Sequence, residues 1–125
     1  MSSDSKNATT PRGAKLLMKH ANLLRHMSKV DPETLQSILN GLNDEMINLI
    51  SQICYNLMHK NLDVDAQRAE RELGPHRQDI CQLMNKKTSA GRKRNIVQKG
   101  GFIGTLLSIA VPSIISGIVS LIKRH

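Results

Sequence analysis

The sequence predicts an all-α protein: a small bundle of four to five short helices, a basic linker and a C-terminal hydrophobic helix. Aromatic residues make up only 2% of the chain, which disfavours a β-sandwich or barrel. Apolar residues recur at helical spacing in several segments between residues 14 and 87. A final uncharged run is long enough for a helix of about 30 Å. With 125 residues in all, the core can only be modest.

Two helices are predicted before residue 43. The first begins at Ala14, because apolar side chains then recur every three or four positions. The second begins after Asp31, whose carboxylate can cap it, and Pro32 suits the first helical position because its missing N–H costs nothing there. The predicted apolar faces are Leu16, His20, Leu23 and Met27 in the first helix, and Leu35, Ile38, Leu39 and Leu42 in the second.

The strongest predicted helix follows Asn43. The Asn43 side chain can cap it, and the acids Asp44 and Glu45 favour the positive end of the helix dipole. We expect this helix to supply the most buried row of the core, around Ile50. The two apolar rows are Met46, Ile50, Ile53 and Leu57, and Ile47, Cys54 and Met58.

The second half of the bundle has weaker signals. AQRAEREL after Asp65 is helical by propensity, and Gly74-Pro75 ends it. A further helix is predicted from about His76 to Lys87, and the composition of TSAGRKRN predicts a loop. The predicted organisation is a disordered arm (1–12), a helical domain that folds on its own (13–88), a basic linker (89–101) and a hydrophobic tail (102–125).

The net charge of +8 belongs to the two ends of the chain, and no acidic residue follows Asp79. Such a balance favours an acidic partner: nucleic acid, anionic lipid or an acidic protein surface. The alternative is that the basic ends are solvated arms. At most six phosphates would be contacted, so DNA binding would be weak, non-specific and sensitive to salt. The predicted contacts are Lys86, Lys87, Arg92, Lys93, Arg94 and Lys99.

The tail is predicted to be a membrane segment. From Phe102 to Ile122, 21 residues pass without a charge, and the heavier basic flank lies on the N-terminal side, which would keep the bundle in the cytoplasm. Pro112 predicts a kink, and small residues such as Gly117 let helices approach closely, which allows self-association in lipid. The alternative is a buried helix of the core.

No enzyme is predicted. The five histidines form no H-E-x-x-H motif and do not pair with cysteine at metal-ligand spacing, and Gly100-Gly101 lacks the rest of a phosphate loop. We therefore expect no catalytic residue, no metal and no cofactor. Cys54 and Cys81 stand among apolar neighbours, which predicts two buried reduced thiols.

The segment GRKRNIVQKGG-FIGTLLSIAVPSIISGIVSLIKRH resembles the end of the adenovirus core protein precursor pX, the precursor of the mu peptide. The chain is also similar to small proteins of Polinton-like viruses and adintoviruses. The resemblance covers Gly91–His125 well and residues 14–87 only as a pattern. It implies cleavage after Gly101 by a viral cysteine protease, although Gln98 replaces the usual apolar residue and the linker has few arginines. The implied site is Gln98, Lys99, Gly100, Gly101 and Phe102; the alternative for the two glycines is a flexible hinge.

The resemblance implies a minor virion or core protein of an adenovirus-related double-stranded DNA virus or an integrated Polinton-like element. Its partners would be DNA or capsid protein, the viral protease, and a membrane or the protein shell around residues 102–122. It would then be found in the virion and the host nucleus. The alternative is a cellular tail-anchored adaptor on an organelle membrane, facing the cytoplasm.

Overall fold

The computed structural model describes the backbone of residues 14–99 and 101–123, and these ranges contain helices and no strand. The all-α prediction is confirmed. The predicted arm (1–12), Gly100 and the side chain of Ile122 lie outside the described residues. The helices are α1 (Ala14–Lys19), α2 (Ala21–Met27), α3 (Pro32–Asn40), α4 (Asp44–Met58), α5 (Ala66–Leu73), a 3-10 turn (Gly74–His76), α6 (Arg77–Met84), α7 (Ala90–Lys99) and α8 (Ile103–Lys123).

The helix starts of α3 and α4 are where the capping residues predict them. Asp31 accepts hydrogen bonds from the Thr34 backbone N–H (3.1 Å) and the Thr34 hydroxyl (2.6 Å), and these bonds lower the pKa of its carboxyl group. Asn43 Oδ1 accepts from the Met46 N–H at 2.9 Å. Both caps satisfy donors that a helix start leaves without a partner inside the helix.

The core is centred on α4. Ile50 and Ile53 are fully buried and Met46 is 3% exposed, so the predicted inner row is confirmed. Leu49, which neither predicted row included, is also fully buried, whereas Met58 of the second row is exposed. α4 packs against α6, α7 and α8. The first predicted helix is divided in two at His20, which lies between α1 and α2.

The loop predicted at TSAGRKRN is wrong, because residues 90–99 form α7. The Ser89 hydroxyl accepts from the Arg92 backbone N–H at 3.1 Å and caps the helix start. Ile96 and Val97 are buried, and α7 packs against α3, α4 and α6. Its charged composition suggested a loop, but two buried apolar side chains and a cap supply enough interaction for a helix.

The uncharged tail forms α8 and contributes to the same hydrophobic core as the preceding helices. It packs against α1, α2, α4 and α5, and Pro112 lies exposed inside it. A single core therefore continues across the predicted domain boundaries at 88 and 101. The buried side chains of this segment are Phe102, Ile103, Leu106, Leu107, Ile109, Ala110, Val111 and Ile114.

Within the residues whose side chains are described, no helix taken alone has both the length and the apolar character needed to cross a membrane. α7 together with residues 103–117 of α8 meets that requirement by length and composition, as a pair bent by 95°.

Candidate nucleic-acid interface and Gly-Gly junction

The turn that precedes α7 holds two of the predicted cations at the surface. Asn85 Oδ1 accepts from the Lys87 backbone N–H at 2.9 Å, and the Asn85 carbonyl accepts from the Thr88 N–H at 3.1 Å. Lys86 and Lys87 are both exposed. The backbone bonds shape the turn, while the ammonium groups remain available to an acidic partner.

Two further cations lie on one face of α7. Arg92 and Lys99 are exposed and seven positions apart, so they lie two turns apart on the same side of the helix. Arg92 Nε donates to Gln82 Oε1 on α6 at 2.9 Å, which orients the guanidinium group. Lys86, Lys87, Arg92 and Lys99 are called the α7 basic surface below.

The remaining two predicted contacts are placed differently. Arg94 donates to the Leu42 carbonyl oxygen and to the Asp44 carboxylate, and its side chain is half-buried. It therefore ties α7 to the start of α4. Lys93 is also half-buried. The six predicted cations thus divide into four that face solvent and two set into the fold.

Sequence reasoning missed Gln82, because its contact with Arg92 joins two helices and leaves no local pattern. It also named no residue near the N-terminal helices, where Lys15 on α1, Arg25 on α2 and Lys29 just after α2 are exposed.

The Gly-Gly junction is held on both sides. Gly101 is exposed with a φ of +73°, a conformation that favours glycine, and a Cβ added there would meet no atom within 4 Å. Before it, Gln98 Nε2 donates to the Leu39 carbonyl at 3.3 Å, and the Gln98 carbonyl accepts from Gln36 Nε2 at 2.8 Å. After it, Phe102 is fully buried. Among the described cleavage residues, Lys99 and Gly101 are therefore exposed, and they lie between the hydrogen-bonded Gln98 and the buried Phe102.

Phe102 is positioned by an aromatic contact. Its ring stacks on that of His76 in the 3-10 turn, with centroids 5.3 Å apart. Gly101 also borders a cleft of about 400 Å³, lined by the end of α2, by α3 and by the start of α8. The cleft leaves space around Gly101, while the stacked ring of Phe102 fixes the chain directly after it.

Cys54 and His20 have structural environments, whereas Cys81 lies at the surface. Burial raises the pKa of the Cys54 thiol to about 12, which keeps it protonated and unreactive. The prediction that Cys81 is buried is wrong: it is exposed, because α6 turns Ile80 and Leu83 toward the core instead. His20 Nε2 lies 2.6 Å from Glu45 Oε2.

A second cavity, of about 230 Å³, lies where the end of α4 meets α5 and α6. Its lining is mostly apolar, with Lys60, Glu70 and Arg77 as the charged exceptions, and Arg77 is paired to Glu70 at 2.7 Å. Among the described residues, no three His, Cys, Asp or Glu side chains are grouped so that they could hold a metal ion.

Comparison with family models, curated proteins and solved structures gives no match to this chain.

Proposed function

We propose that this chain is a minor virion or core protein of an adenovirus-related DNA virus or Polinton-like element, and that it contacts DNA through the α7 basic surface. The observation that carries the DNA contact is the placement of four exposed cations on one turn and one helix face. They lie in a part of the sequence where no acidic residue occurs after Asp79. The viral setting rests on the resemblance over Gly91–His125.

The expected contact is electrostatic. Lys and Arg side chains neutralise phosphates and release the counterions bound to them. The logarithm of the binding constant therefore falls linearly with the logarithm of the salt concentration, with a slope proportional to the number of phosphates contacted. Four exposed cations predict a slope of log K against log salt of about −4. Base-specific readout is not expected, because α7 buries Ile96 and Val97 against the bundle and presents only the side holding Arg92 and Lys99.

The test is a titration of a fluorescent DNA duplex at several salt concentrations between about 50 and 200 mM. The double variant Arg92→Ala/Lys99→Ala should bind two unrelated duplexes more weakly to the same extent, with a slope shallower by about 2. The matched control is Arg68→Ala/Arg71→Ala, which removes the same charge from α5, where both side chains lie within ion-pair distance of Glu72.

Equal weakening by the control would mean that net charge alone drives binding and that α7 is no interface. Sequence-specific binding would also contradict the proposal.

In the same proposal the capsid protein is the other candidate acidic partner, and the viral cysteine protease cuts at the Gly-Gly junction. The expected places are then the virion and the host nucleus.

A further inference from the structure

The position of the Gly-Gly junction bears on what a cut there would do. We propose that a chain cut between Gly101 and Phe102 keeps α8 seated in its core, as a two-fragment complex, and that the tail leaves only when a second event displaces it. This inference rests on the proposed processing site for its biological use. Its physical content can be tested without the viral protease.

Burial of its apolar side chains holds α8 in the core. Eight apolar side chains between residues 102 and 114 are at most 5% exposed, and they belong to the same cluster as Leu49, Ile50 and Ile53 of α4. None of these contacts requires the peptide bond after Gly101. Releasing α8 would expose all eight side chains and the faces of the helices that cover them, which the hydrophobic effect opposes.

Separate elements of the fold hold α8 at several points along its length. Phe102 stacks on His76 in the 3-10 turn. Gly104 lies so close to α3 that an added Cβ would be 3.2 Å from Leu35 Cδ2. Farther along, the Ser113 hydroxyl oxygen accepts from the Asp63 backbone N–H at 2.8 Å. These contacts fix both the position and the rotation of α8.

The cut itself creates two new charges at the junction. Hydrolysis adds one water, leaving a carboxylate on Gly101 and an ammonium group on Phe102. A positive charge near the start of a helix is unfavourable. Gly101 is exposed and has open space beside it, so its new carboxylate can be solvated, whereas the new ammonium group forms on the buried Phe102 and must shift toward solvent. The cut therefore loosens the start of α8 without removing its packing.

Such a complex separates cleavage from release. A displacing partner must offer α8 an apolar surface in place of the core. The interior of a lipid bilayer is such a surface, and the segment from Phe102 to Ile122 can enter it because it is uncharged. Proteolysis would then prepare the chain, and contact with a bilayer would extract the tail.

The experiment uses the full chain with the recognition sequence of a site-specific protease inserted between Gly100 and Gly101. After complete cutting, native mass spectrometry and gel filtration should find both fragments together, and denaturant should separate them. Vesicles of zwitterionic phospholipid should take the tail fragment from the cut protein more than from the uncut one. A tail fragment that separates or precipitates directly after cutting would overturn the inference, and so would vesicles that take none of it.

Two further variants of the cut protein localise the effect. Ser116→Asp places a charge on an exposed position of α8 and should leave the fragments together. Leu107→Ala removes apolar contacts at a fully buried position and should let a lower concentration of denaturant separate the fragments. Separation of both variants at the same denaturant concentration would contradict seating in the core. If the viral protease fails to cut after Gly101 while the engineered cut still yields a complex, only the proposed processing is lost.

Discussion

The helices α4 and α8 are both strongly apolar, yet their sequences point to different places. α4 alternates buried rows with exposed polar residues such as Asp44, Glu45 and Asn48, and this pattern predicts one face in the core. α8 has no charged residue before its last turn, which predicts a membrane. In the structure both contribute to one core.

The difference lies in how α8 is covered. Helices α1 and α2 pack against it as well as α4 and α5, so it has neighbours on several sides. Within residues 103–117, the residues left exposed or half-exposed carry no charge: Gly104, Thr105, Ser108, Pro112, Ser113, Ile115, Ser116 and Gly117. An uncharged helix thus need not span a bilayer, because a small protein can surround it with its own elements. The same lack of charge would let α8 leave the core for lipid.

The largest expected effect comes from charging each helix at a fully buried position. Ile50→Asp in α4 and Leu107→Asp in α8 each bury an unpaired carboxylate, which costs several kcal/mol and exceeds what a small core can spare. Both variants should lose cooperative unfolding, followed by circular dichroism during heating. The control Asn48→Asp, at an exposed position of α4, should melt like the parent. Unchanged melting of Leu107→Asp alone would show that α8 lies outside the core in solution.

A smaller effect should come from glycines on the two helices that meet at the junction. Gly104→Ala would bring a Cβ to 3.2 Å from Leu35 Cδ2, so the Leu35 side chain must move slightly away, and we expect a cost of about 1 kcal/mol. Gly91→Ala on α7 meets nothing within 4 Å and should stabilise the helix by about 0.5 kcal/mol. Chemical denaturation measures both. Gly104→Ala as stable as Gly91→Ala would contradict the close contact between Gly104 and Leu35.

The smallest effect is a pH dependence at the ion pair that joins the α1–α2 turn to α4. Hydrogen bonds from His20 and then Lys19 lower the pKa of the Glu45 carboxyl group below its ordinary value of 4.5. A lowered folded-state pKa means that stability is present above the ordinary pKa and is lost as pH falls through the folded value. Melting temperature should therefore fall below about pH 4.5 less steeply in Glu45→Gln than in the parent.

The control for this pH effect is Glu33→Gln, which removes an exposed carboxylate from the first turn of α3. Its melting temperature should follow the parent curve more closely than that of Glu45→Gln. If both variants flatten the acid limb equally, the ion pair with His20 and Lys19 contributes nothing of its own.

The sequence alone predicted the features that depend on neighbouring residues. The caps at Asp31 and Asn43 act on N–H groups three positions away, and the inner row of α4 repeats every three or four residues. Such interactions form wherever the local chain is helical. The all-α class and the exposed cations at Lys86, Lys87, Arg92 and Lys99 were predictable for the same reason: they follow from composition and local pattern.

Only the tertiary structure decided where the uncharged helix packs, that α7 is a helix, and what Arg94 does. Arg94 contacts Leu42, 52 positions away, and Asp63 contacts Ser113 across 50 positions. Local sequence patterns cannot predict contacts between residues that are so far apart along the chain. The hydrophobic effect rewards burial without regard to what supplies the cover, so the same apolar run suits a bilayer or a protein core. Here the surrounding helices supply that cover.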